Sequence, residues 1–92
     1  MRQRSRTEII ADILQVLANG GATRTRVMYG SYLTFGEATD YLQYLVGRNL
    51  ISFEEALMSY VLTSRGAELL DAFEGITNLI AIAPFDRVGA SF

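Results

Sequence analysis

Through residues 5–21, SRTEIIADILQVLANGG, apolar side chains recur at intervals of three and four: Ile9, Ile10, Ile13, Leu14 and Leu17 share one side of a helical wheel. Glu8, Asp12 and Gln15 fall on the other side. That period predicts an amphipathic helix with one face in a core and one in water. Ser5 stands three residues ahead of Glu8, the capping-box spacing in which each side chain satisfies a free backbone N–H of the first turn. Asn19, Gly20 and Gly21 supply the stop.

The next segment, ATRTRVMYGSYL, predicts about two turns of helix opened by Thr23 as N-cap and closed near Gly30, with Val27 and Met28 as its apolar contacts. A third helix follows almost at once. Thr34 and Glu37 repeat the capping-box spacing, and Phe35, Ala38, Leu42, Leu45 and Val46 share a face at 100° per residue. Gly36, Glu37, Asp40, Gln43, Tyr44 and Gly47 lie opposite.

The period then changes. Asn49 is placed to end the helix in a left-handed conformation, and two extended pieces near 51–54 and 59–62 are rich in β-branched and aromatic residues. They predict a small hairpin, although Glu55 to Met58 offers no Gly or Asn for a tight primed turn. A last helix over 64–83 carries Glu68, Asp71, Glu74 and Asn78 on one side and Leu69, Leu70, Ala72, Phe73, Ile76, Leu79 and Ile80 on the other. Its apolar sector spans about half the circumference, wider than the roughly 100° stripe that covers a helix's own core. The surplus predicts a second surface, a homodimer seam through Leu69, Phe73, Ile76 and Ile80. Pro84 stops the helix, leaving 84–92 as a tail that is loose or docked by Phe85 and Phe92.

With 92 residues, half of them apolar, the chain has material for one core and therefore one domain, expected over 5–83 behind a flexible basic arm at 1–4. It contains neither Cys nor His, which removes disulfides, the usual zinc ligands, the thiol nucleophile and the commonest general base. No enzyme, metal or cofactor is expected, and no Gly-rich phosphate loop or small-molecule site is evident. Its longest apolar run near an end, ITNLIAIA, is far shorter than the roughly 20 residues that span a bilayer. We expect a cytoplasmic protein with no membrane partner.

All eight basic residues are Arg, and their distribution is uneven. Residues 1–31 hold five of them against two acids, whereas residues 32–92 hold three against eight. Such polarity can orient a protein on a polyanion, within the roughly 8–10 Å reach that salt allows.

Three helices, the last two joined by a short turn, then a hairpin and a final helix give the order of a winged helix-turn-helix domain, mainly α with a small β-hairpin. Several stretches sharpen this: the TRTRVMY run, Leu33-Thr34-Phe35 before the third helix, Leu50-Ile51 after it, and LTSRG leading into the last helix. Over about residues 5–75 the chain resembles the small archaeal winged-helix regulators, including the Sulfolobus chromatin-associated proteins that pair through a C-terminal antiparallel coiled coil. The resemblance implies a dimer on double-stranded DNA, with each third helix in a major groove, each hairpin wing against the backbone and the fourth helices paired. Here Pro84 favours a compact helix pair over a long coiled coil.

Arg24 and Arg26 fall in the part that resembles the family's backbone-contacting segment, where guanidinium groups grip phosphate without reading sequence. Arg2, Arg4 and Arg6 alternate along the arm and could follow a phosphate track. On the third helix, with Thr34 at its start, Gln43 can pair with adenine, Tyr44 can pack on sugar or a thymine methyl, and Asp40 can accept from a cytosine amino group. Yet the two carboxylates on that face repel phosphate, and Glu37 already has a structural role as the cap partner of Thr34. The expectation is a dimeric DNA-binding transcriptional regulator whose affinity comes mainly from Arg on phosphate. The alternative is a winged-helix interaction or dimerisation module with little DNA affinity.

Overall fold

The computed structural model describes residues 4–82, with side chains through residue 75. Four helices and one hairpin follow in the order α1 (Arg6–Ala18), α2 (Arg24–Gly30), α3 (Phe35–Gly47), β1 (Ile51–Glu54), β2 (Ser59–Leu62) and α4 (Ser64–Ile82). Both capping boxes form. The Ser5 hydroxyl accepts from Glu8 N at 3.0 Å while Ser5 N donates to Glu8 Oε1 at 2.7 Å. Thr34 and Glu37 repeat the exchange at 3.1 and 2.9 Å. Thr23 opens α2 by accepting from Arg26 N at 3.2 Å. Each oxygen takes up an N–H that has no partner within its own helix, which is why helices as short as α2 have definite starts.

The core is drawn from every element but β2: Ile13, Leu14 and Leu17 of α1, Val27 of α2, Ala38, Leu42 and Leu45 of α3, Ile51 of β1 and Leu70 of α4, with Ala22 and Leu33 from the connections, while Tyr60 and Leu62 of β2 pack half-buried against it. Two residues of the expected α3 core face do not join it. Phe35 is 60% exposed and Val46 36%. The buried residues centre on Ala38, Leu42 and Leu45, so the two outer members of the apolar sector are turned past the edge of the core toward water.

β1 and β2 pair antiparallel with Ile51 opposite Leu62 and Phe53 opposite Tyr60. Ala22 adds a short third edge by exchanging backbone hydrogen bonds with Tyr60 at 3.0 and 2.8 Å. The hairpin turn closes without glycine because Met58 itself adopts φ +50°. Leu57 N and Met58 N donate to the carbonyls of Glu54 and Glu55 there. Asn49, at φ +61°, ends α3 in the left-handed conformation that Asn tolerates.

The entry to α4 is a tight junction. Thr63 Oγ1 accepts from Gly66 N at 3.0 Å and donates to the Asn49 carbonyl at 2.6 Å, while Thr63 N donates to the Leu50 carbonyl at 3.2 Å. One threonine thus caps α4 and ties it to the end of α3. Leu69 and Phe73 are half-buried against the chain's own core, so part of the wide apolar sector is used internally. The side chains of Ile76 and Ile80, the tail at 84–92 and Arg2 lie outside the described residues.

Of the basic arm expected at 1–4, Arg4 alone is described, and it is not free. Its Nη1 pairs with Asp12 Oδ2 at 2.7 Å and its Nη2 donates to the Tyr32 carbonyl at 3.2 Å. The guanidinium bridges α1 to the turn between α2 and α3, whereas the sequence pattern places it on a free arm.

Candidate nucleic-acid interface

A capped helix on a buried spine presents whatever lies opposite the spine. For α3 the exposed ridge is Gly36, Asp40, Gln43 and Gly47, with Tyr44 beside it. A Cβ built at Gly36 or Gly47 meets nothing within 4 Å. The ridge is therefore low at both ends, with Asp40 and Gln43 as its central polar groups.

Arginines frame this ridge. On one flank Arg6, the first residue of α1, faces Glu37, Asp40, Tyr41 and Tyr44 across a cleft of ≈210 Å³. It belongs to a helix and not to an arm, on the side of α3 that carries Glu37 and Asp40. At the C-terminal end, the Arg48 guanidinium sits over the Tyr44 ring, 5.8 Å from its centroid. Arg48 also lines a hollow of ≈370 Å³ with Arg65 and Glu68 of α4. On the other flank Arg24 of α2 lies over Phe35, 5.3 Å from the ring centroid. Arg26 is exposed two residues further along the same short helix. Exposed guanidinium groups held on aromatic faces have lost part of their freedom in advance, which lowers the entropic cost of meeting a phosphate.

The expected site residues divide accordingly. Arg24, Arg26, Asp40, Gln43, Tyr44 and Arg6 are all exposed, on the α1, α2 and α3 elements that border the ridge. Thr34 is exposed too, but its oxygen is engaged as the α3 cap. Arg4 is withdrawn into its pair with Asp12. Missed from sequence were Arg48 and Arg65. The signal for Arg48 was its place four residues after Tyr44, a spacing that puts both on one side of a helix end. Also missed was an aromatic grouping. Phe35, Phe53 and Tyr60, scattered in sequence, line one cleft beside Arg24.

Among the described residues, no cluster of carboxylates could hold a metal ion. None of the described helices is long and apolar enough to cross a membrane.

A short second helix, a capped third helix across a tight turn, a wing and an α4 locked to the end of α3 are the parts of a winged helix-turn-helix. The family model described as winged helix-turn-helix matches residues 3–81, and the chain belongs to that family. Among solved structures it is similar to Sso10a-2, a DNA-binding protein from Sulfolobus solfataricus, with a TM-score of 0.70 and 26% sequence identity, covering 96% of this chain and 94% of that one. No curated protein sequence matches it.

Proposed function

We propose that this protein binds double-stranded DNA as a homodimer and acts as a transcriptional regulator, with α3 in the major groove and affinity drawn mainly from Arg contacts to phosphate. The observation that carries the reading is the arginine frame: Arg6, Arg24, Arg26 and Arg48 stand exposed around a helix whose own ridge bears an acid. Guanidinium groups on both flanks of a groove-sized helix support this reading, since a phosphate strand borders a major groove on either side. The likeness to a DNA-binding protein over nearly the whole length of both chains supports the same reading. Asp40 and Gln43 give a sparse base-reading set, so discrimination among sequences is modest. The dimer seam runs along α4, through the outer parts of Leu69 and Phe73 and, by sequence period, Ile76 and Ile80.

A titration of mixed-sequence duplex at two salt concentrations tests this. Log affinity should fall with log salt at a slope of about −0.9 for each phosphate neutralised. Absence of binding at low salt overturns the proposal. It would favour the second reading, an interaction module, for which the exposed Leu57 and Met58 at the wing tip speak.

A further inference from the structure

Three elements converge on Arg24 to form a second cleft, of ≈290 Å³, beside the arginine frame. Phe35 comes from the first turn of α3, Phe53 and Tyr60 from the wing strands, and Met58 from the wing turn. These are not leftovers of the core. Phe35 is 60% exposed, Phe53 40% and Met58 65%, so three large apolar side chains meet in water.

The strand register explains how they come together. Ile51, Phe53, Tyr60 and Leu62 lie on one face of the hairpin, and that face begins in the core at Ile51 and runs outward to Phe53. Glu54, by alternation, faces the other way. Among the described residues, Arg24 is the one charged side chain lining the cleft, and Thr25 adds a hydroxyl at its rim. Two of the walls are ordered by local contacts. Phe53 and Tyr60 are a cross-strand ring pair with centroids 4.9 Å apart and planes at 58°. The turn carrying Met58 is held by its two backbone hydrogen bonds and by Ser59 Oγ donating to the Leu57 carbonyl at 3.0 Å.

A cleft with π faces, one guanidinium and no carboxylate is complementary to a flat heterocycle attached to an anionic backbone. Bases stack on aromatic rings and on guanidinium planes, and the phosphate next to such a base would find Arg24 or Arg26. Bases within an intact duplex are stacked on their neighbours, so their faces are out of reach. We propose that the cleft between α2, α3 and the wing takes up one unpaired base, so that the protein prefers DNA carrying a bulged or extruded nucleotide. The inference rests on the DNA-binding reading and adds a site that duplex binding alone does not need.

The test compares two labelled probes by fluorescence anisotropy: a fully paired duplex and the same duplex with one unpaired thymine. Wild type should bind the bulged probe more tightly by roughly 5- to 150-fold, the range for one base stacked on an aromatic side chain. In Phe53→Leu, which keeps the apolar volume and removes the ring, that ratio should fall to about twofold or less. Phe35→Leu should lower the same ratio, and because Phe35 is the more exposed ring it keeps the test open if Phe53→Leu melts early in circular dichroism. Equal wild-type affinity for both probes overturns the cleft and leaves duplex binding standing. Binding to neither overturns the DNA reading itself. A ratio that survives both substitutions, or a loss of dimer mass on either, removes the base from this site and assigns the cleft to something else.

Discussion

Gly66 of α4 stands directly against the carbonyl oxygen of Leu50, so close that a Cβ at position 66 would overlap that atom. The neighbour is backbone and cannot swing aside. Gly66→Ala should therefore lower stability by at least about 3 kcal/mol, the upper end of ordinary overpacking. Gly75, also helical in α4, has open space around its missing Cβ, and Gly75→Ala should raise stability by roughly 0.5–1 kcal/mol. Urea denaturation of the two variants checks this, and equal effects would show that α4 does not dock through position 66.

Ser31 sits in the turn between α2 and α3, 0% exposed, and its hydroxyl has no hydrogen-bond partner among the described residues. A buried hydroxyl without a partner costs about 1–3 kcal/mol of desolvation. Ser31→Ala should be neutral or stabilising by about 1 kcal/mol, unlike most substitutions at fully buried sites. A loss of more than about 1 kcal/mol in thermal or urea melts would mean that the hydroxyl is satisfied in solution.

The two acids of α3 should behave differently. Thr34→Ala removes a helix cap and should cost about 1 kcal/mol of stability, because Glu37 then keeps only half of its reciprocal pair. Asp40 is exposed on the ridge and has no such structural role. Asp40→Asn should leave stability nearly unchanged and tighten duplex binding about fivefold at low salt, taking about 1 kcal/mol for two charges roughly 4 Å apart in water. Weaker binding would reveal instead that the carboxylate accepts from a base.

Arg24→Ala combined with Arg26→Ala should weaken binding to every duplex sequence alike and make the salt slope shallower by about two. Arg4→Ala should act on folding, since it releases Asp12 and the Tyr32 carbonyl, and should leave the slope where it was. A slope that responds to Arg4 and not to Arg24 and Arg26 would reverse the assignment of phosphate contacts.

The helices were legible because their ends are local. Ser5 with Glu8, Thr34 with Glu37, and Asn49 each act within one turn of chain, and the structure realises all three. Element order was enough for the winged architecture. What could not be read was how side chains far apart in sequence meet. Phe35 has the phase of a core residue, but the first turn of α3 projects beyond the core, so it ends up under Arg24. Arg4 looked like part of a free arm because its partners, Asp12 and the Tyr32 carbonyl, are 8 and 28 residues away. The aromatic cleft was invisible for the same reason, since no periodicity relates positions 24, 35, 53 and 60.

Thr63 has a consequence at the scale of an assembly. It ties the first turn of α4 to the carbonyl of Asn49, just past the end of α3, so the angle between those two helices is set at this junction. If two subunits meet along α4, the angle at which they cross sets the distance between their two α3 helices. The spacing of half-sites on DNA would then be tuned by substitutions near the crossing point of α4, far from any nucleotide.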